Sequence, residues 1–331
     1  MNWSKRVYVG IVSVLPLLGL FLTFPLARTQ WFLHHNNNPS FRAVGYGAQL
    51  RHADCEIVVF GDSTAIVGVD PQIVQRATGM KACNVSEIYP VILTAGFEPL
   101  DRYLGQNRTP RYLVVMLHAR HFIESKAWNI EPEVLEGIEY LLRFDVRHSV
   151  AASRSHARYF LGFAQWAIRA VVEDAGHRAW EALSRYAGNP PLPEPEDPLG
   201  ERQRRNGVLT VYHRPPETRC GEGNKTEPPV GDPAWIAGLR RKYSTNGTTV
   251  LVNVSPIADC EELAGAYERA VEGLHDNRLE RLPVGMFNDQ ELHLTQEGAA
   301  RVSGELAEQI LAIERRRTSA AAAPSKITGA N

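Results

Sequence analysis

From residue 55 onward, short apolar runs alternate with helix-like segments, and few architectures accept that rhythm. "EIVVF", residues 56–60, is rich in β-branched and aromatic residues and stops at a glycine, as a strand buried on both faces does. "DPQIVQRATGM" reads as a helix with Asp70 as N-cap, Pro71 at its first position and Gly79 as its stop. "KACNVS" reads as a second short strand, "PVILTAGFEPLDRYLGQN" as a helix interrupted by Pro99, and "RYLVVML" as a third strand. This order builds an α/β fold on a doubly wound parallel sheet, where ligands sit at the carboxyl ends of the strands. Gly61-Asp62-Ser63 falls at that edge.

Residues 128–231 break the rhythm. Helical patterns such as "EVLEGIEYLLRF" and "YFLGFAQWAIRAVVEDAGHRAWEAL" are followed by the proline-rich "GNPPLPEPEDPLG" and by "GVLTVYHRPPE", a strand or hairpin arm. The segment reads as an insertion or lid, and such regions often set substrate choice. The sheet pattern then resumes: "PAWIAGLRRKY" is a helix, "TTVLVNVSPI" a strand, and "TQEGAARVSGELAEQILAIERRR" a closing amphipathic helix begun by Thr295. The main domain is expected over 51–316 and a disordered tail over 317–331.

At the other end, residues 7–27 ("VYVGIVSVLPLLGLFLTFPLA") are uncharged and, as a helix, would span about 30 Å, the hydrocarbon core of a bilayer. Lys5 and Arg6 precede this run and Arg28 follows it. An uncleaved anchor over 1–30 is expected, with a spacer over 31–50 and the globular part outside the cytoplasm; a cleaved signal peptide is the rival reading. For a bacterial chain this means a single-pass inner-membrane protein facing the periplasm. Cys55, Cys83, Cys220 and Cys260 suit an oxidising compartment and lack zinc-site spacing. Cys220 with Cys260 joins two loop-like segments, Cys55 with Cys83 flanks neighbouring strands, and four buried thiols is the remaining alternative.

The charge is nearly balanced, 36 Lys and Arg against 37 Asp and Glu, with no basic block interleaved with aromatics. The footprint of a nucleic-acid binder is missing, so a small molecule, a glycan or another protein is the expected partner. No ligand spacing implies a metal, and "GDSTAIVG" lacks the lysine and glycine positions of a phosphate-binding loop, so no cofactor is expected.

A serine hydroxyl attacks a carbonyl only when a neighbouring base takes its proton, and a strand-to-helix turn exposes such a hydroxyl beside backbone N–H groups. Ser63 has that setting, although Ala65 stands where the nucleophile elbow of α/β-hydrolases needs glycine. The base is expected near the C-terminus in "MFNDQELHLTQEGAARVSGELA", at His293, just before the closing helix.

With serine early in "GDS", histidine late and an acid just before it, the chain resembles the SGNH/GDSL hydrolase superfamily over residues 55 to about 125 and 232 to about 315. The resemblance implies a flavodoxin-like three-layer sandwich with a central parallel sheet, here carrying a transmembrane helix and a helical insertion. It implies Ser63 as nucleophile, His293 as base and an acid near it. Gln290 occupies the family's aspartate position, which leaves Asp289 as the expected acid and Glu291 as its fallback. The second block reads "CNVSEIYP", where Ser86 is the nearest small residue to the usual oxyanion glycine, and "LHARHF" replaces the third block, leaving Arg120 or His121 near the missing asparagine. Arg120 is either an oxyanion or substrate contact or a surface arginine at a strand end. Asp62 supports the nucleophile turn in this family.

The layout is similar to that of anchored SGNH-like proteins acting outside the bacterial cytoplasm beside membrane-bound O-acyltransferases. By that analogy the chain is a serine esterase or O-acyltransferase acting on acyl esters of cell-surface polysaccharide, with an acylated glycan or other ester as substrate. The alternative is a non-catalytic scaffold or glycan-binding component of an envelope polysaccharide modification machine.

Overall fold

The structure, a computed structural model, describes residues 44–123, 198–209, 226–289 and 292–322, with scattered positions between 137 and 187. The expected membrane span at 7–27 lies outside the described residues. Among those described, no helix is long and apolar enough to cross a membrane.

Four parallel strands form the central sheet: β1 (Ile57–Gly61), β2 (Ala82–Asn84), β3 (Tyr112–Leu117) and β4 (Thr249–Val254), in the order β2-β1-β3-β4. Ile57 pairs with Ala82 on one side and Tyr112 on the other, and Leu117 ends opposite Val254. Strand order reverses beside β1, which opens a crevice at the carboxyl ends of β1 and β3, the kind of place where α/β sheets bind ligands.

Side-chain alternation divides the core between two faces. Val58, Phe60, Leu113, Val115, Leu117, Val250, Val252 and Val254 share one apolar cluster with α5 (Glu98–Gln106), α7 (Pro233–Tyr243) and α8 (Ala264–Ala270). Ile57, Val59, Tyr112, Val114, Met116 and Leu251 share the other with α2 (Ser63–Gly68), α3 (Pro71–Thr78) and α9 (Gln296–Ala322). Helices on both faces of a parallel sheet give three layers, and burial of each large aliphatic side chain contributes about 1.5–3 kcal/mol before conformational entropy is set against it.

Local signals hold where the chemistry is local. Asp70 accepts from Gln72 N–H, Pro71 opens α3, and Gly79 closes it in the left-handed region at φ 73°. Asp232 caps α7 through Ala234 and Trp235 N–H. Thr295 receives the Gly298 N–H at the start of α9.

Other expectations change. The helix read across Pro99 is two helices, α4 (Tyr89–Ala95) and α5. Gly96 turns the chain between them at φ 61°, and Pro99 lies in the first turn of α5, where its missing N–H costs nothing. The residues just before 51 are already packed: Val44 is fully buried, α1 (Tyr46–Gln49) follows it, and the Glu87 carboxylate accepts the Gly45 N–H at 3.0 Å. The closing helix runs beyond residue 316 to Ala322, because the alanine-rich end favours helix; within it the Thr318 and Ser319 hydroxyls turn back to the Glu314 and Arg315 carbonyls.

Cys55 and Cys83 form a disulfide, and Cys260 is also disulfide-bonded, whereas Cys220 lies outside the described residues. Gly207–Leu209 form no strand, and the rest of "GVLTVYHRPPE" lies outside the described residues. The described positions between 137 and 186 are helical, α6 (Pro198–Arg204) comes before the sheet resumes, and the short strands β5 (Ile257–Ala258) and β6 (Arg281–Leu282) pair parallel apart from the main sheet.

Candidate active site

Ser63 is the first residue of α2, directly after Asp62, the N-cap that ends the turn from β1. The turn is tight. A Cβ at Gly61 would lie 1.7 Å from the Met116 carbonyl oxygen, so β3 approaches the end of β1 too closely for any side chain there.

His293 arrives from the opposite end of the chain. It opens β8 (His293–Leu294), which pairs antiparallel with β7 (Phe287–Asp289) and leads straight into α9. Leu294 is buried in the same cluster as Ala65 of α2, which anchors the imidazole beside the Gly61–Ser63 turn. Its Nε2 lies 3.0 Å from Ser63 Oγ, across 230 residues of sequence.

Asp289 is the backbone partner of His293 in the β7–β8 ladder. Gln290 and Glu291 lie outside the described residues.

Asp62 carries more than sequence reading assigned to it. Fully buried, it accepts from Thr64 N–H (3.0 Å), the Thr64 hydroxyl (2.6 Å) and His118 N–H (2.8 Å), and it holds His121 Nδ1 at 2.6 Å. Burial alone would raise its pKa. The hydrogen bond and charge of His121, with the bonds from Thr64 and the His118 N–H, prevail and hold the carboxyl well below the usual range. One buried carboxylate thus ties the Gly61–Ser63 turn to the loop after β3. The Thr64 hydroxyl also meets Ser255 beyond β4, extending the tie across the sheet edge.

His121 stacks on Tyr89, ring centroids 3.4 Å apart and planes within 7°. His118 is buried, and burial first, then the charge of His121, lowers its pKa to about 3 despite the pull of Asp62, which keeps it neutral.

The two expected oxyanion contacts beyond Ser63 sit differently. Arg120 is buried, donates from Nε to the Tyr267 hydroxyl at 2.8 Å and from Nη2 to the Thr226 carbonyl, and lies over the Tyr267 ring. It is a packed arginine rather than a surface one. Ser86 lies beside the end of β1, where the next N–H, of Glu87, bonds to the Gly61 carbonyl. The Ser86 N–H is taken by Asn84 Oδ1 at 3.1 Å, while its fully buried hydroxyl has no hydrogen-bond partner among the described residues.

Sequence reading missed Asn84, whose amide donates to the Ala65 and Val69 carbonyls at 2.7 and 3.0 Å and so fixes the far end of α2. It also missed Glu87. Burial drives that carboxyl up to about 7 against the charge of Arg202, a fully buried arginine that donates to the Ser86 carbonyl at 2.6 Å. Both residues sit within two positions of Ser86, yet their partners are remote in sequence and nothing local announces them. On the His293 side, a polar pocket of about 270 Å³ is lined by Val67, Arg76, Arg205, Leu294 and Thr295. Neither protein-family models, curated proteins nor solved structures match this chain.

Proposed function

We propose that the chain is an SGNH/GDSL-type serine esterase or O-acyltransferase with a flavodoxin-like core, held at the inner membrane by its N-terminal run and facing the periplasm. The observation that carries this reading is the 3.0 Å contact between Ser63 Oγ and His293 Nε2. A hydroxyl and an imidazole so far apart in sequence have little structural reason to meet at the carboxyl edge of a parallel sheet, and good chemical reason.

In the proposed reaction His293 Nε2 takes the Ser63 proton as Oγ attacks an ester carbonyl. The imidazolium then protonates the leaving alcohol. This requires the proton of neutral His293 on Nδ1, and Asp289, opposite it in the β-ladder, is the proposed acid that holds that tautomer. Ser63 N–H in the first turn of α2 and the Ser86 hydroxyl are the proposed oxyanion donors. Arg120, engaged by Tyr267 and Thr226, is left out of the hole and given a structural part. Water as acyl acceptor makes the protein an esterase. A glycan hydroxyl, for which the polar pocket beside His293 has suitable lining, makes it an acyltransferase working with a membrane-bound O-acyltransferase.

One observation favours the second reading, a non-catalytic scaffold or glycan-binding component: the Ser86 N–H and the Arg120 guanidinium are both engaged, which thins the oxyanion hole. A fluorophosphonate probe separates the two. Labelling of the wild type that is lost in Ser63→Ala supports the enzyme; a folded wild type that never labels leaves the scaffold.

A further inference from the structure

A pocket of about 360 Å³ lies on the Asp62 side of the site, between α4, the segment after β3, and α7. Its walls are largely Ile92, Leu93, Phe97, Leu117, Trp235 and Leu239. We infer that this pocket holds the acyl chain of the substrate, and that the chain is of medium length rather than acetyl. The inference rests on the serine-acyl reading above and deepens it.

Position is the first argument. His121 forms one wall of the pocket, and its Nδ1 is 2.6 Å from the carboxylate of Asp62, the residue bonded to Ser63. Leu117 ends β3 one residue beyond Met116, which pairs with Gly61, so the pocket starts at the strand edge that carries the nucleophile.

The lining is the second. Among the described residues that line it there is no Asp, Glu, Lys or Arg. The Thr94 hydroxyl is spent on the Pro90 carbonyl at 2.9 Å, and the Tyr89 ring is stacked on His121. A sugar would lose its hydration here for few hydrogen bonds, whereas a hydrocarbon chain loses nothing. The polar pocket beside His293, with Arg76 and Arg205 in its walls, differs in just this respect.

Size is the third. At about 30 Å³ for a water-sized group, 360 Å³ has room for roughly a dozen such groups, enough for a chain of about six to ten carbons. An acetyl methyl would occupy one such place and leave the walls without contacts.

The test is a series of p-nitrophenyl esters, acetyl, butyryl, hexanoyl and octanoyl, assayed below their critical micelle concentrations with the full chain. The expected kcat/KM rises about fourfold per added methylene, the transfer value of a CH₂ expressed as a rate ratio, up to octanoyl. Leu93→Phe and, separately, the half-buried Ile123→Trp should lower the octanoyl-to-acetyl ratio by at least tenfold, and the second variant covers the case in which the first fails to fold. A flat series, or one that falls from acetyl onward, overturns the acyl pocket while Ser63 labelling keeps the enzyme reading standing. Unchanged ratios in both folded variants overturn it as well. A wild type that neither turns over any ester nor labels at Ser63 takes down the parent reading, and this inference with it.

Discussion

His293 Nε2 and Ser63 Oγ lie 3.0 Å apart although 230 residues separate them, because β8 delivers the imidazole to the edge of the sheet on which the Asp62 turn presents the hydroxyl. If the pair works as nucleophile and base, His293→Gln should lower ester kcat on the order of 10⁶-fold with little change in KM, as removal of a triad histidine does. Steady-state kinetics beside a circular-dichroism check of folding would decide it. A tenfold loss or less would assign the base elsewhere.

Asp62 holds four hydrogen-bonding groups while fully buried. Asp62→Asn keeps the shape but replaces one acceptor oxygen by a donor, which confronts either Thr64 or the His118 N–H and His121 with the wrong partner. The expected cost is about 3 kcal/mol in urea unfolding, together with loss of Ser63 labelling. A variant as stable as the wild type would show that the carboxylate does not organise the turn.

Gly61 admits no side chain, since a Cβ would press on the Met116 carbonyl at 1.7 Å. In Gly61→Ala either β1 and β3 separate or the turn shifts. Insoluble expression, or destabilisation of about 3 kcal/mol or more, is expected from that overpacking. Wild-type stability would mean that the strands part without penalty.

His118 gives a pH signature. Its folded pKa is depressed to about 3 from an ordinary 6.5, so below pH 6.5 the unfolded chain takes up a proton that the native protein refuses. Stability from this group is therefore complete above 6.5 and is lost as pH falls towards 3. Unfolding free energies compared at pH 7 and 4.5 should fall less steeply in His118→Gln than in the wild type, by on the order of 2–3 kcal/mol. Using the difference between the two proteins cancels Glu87, whose raised pKa acts in the opposite direction between 4.5 and about 7. Parallel profiles would refute a buried neutral imidazole.

The Cys55–Cys83 bridge spans a sequence separation of 28 and closes a loop containing β1 and the Gly61–Ser63 turn. By loop-closure entropy it contributes about 3.5 kcal/mol, so Cys55→Ala/Cys83→Ala should unfold at a correspondingly lower urea midpoint. A midpoint within error of the wild type would place the effect in native strain or residual unfolded-state structure.

What could be read directly from residues 55–80 was whatever depends on near neighbours: an apolar run broken by Gly61, caps at Asp70 and Gly79, and a serine placed at a strand's carboxyl end. His293 was legible as well, since an isolated histidine before a closing amphipathic helix narrows its place to the sheet edge. Arg120 was not, and of Asp62 only its support of the turn was implied, because the packing of Arg120 and the reach of Asp62 depend on Tyr267 and on His118 and His121, which only folding brings alongside. Glu87 with Arg202, and Asn84 with the end of α2, belong to the same class. Propensity, capping and alternation act over a few residues and are written in the chain. The partner of a buried charge or amide is chosen by three-dimensional packing, since a buried polar group left without one costs free energy, and that selection took place between segments with no local trace of one another.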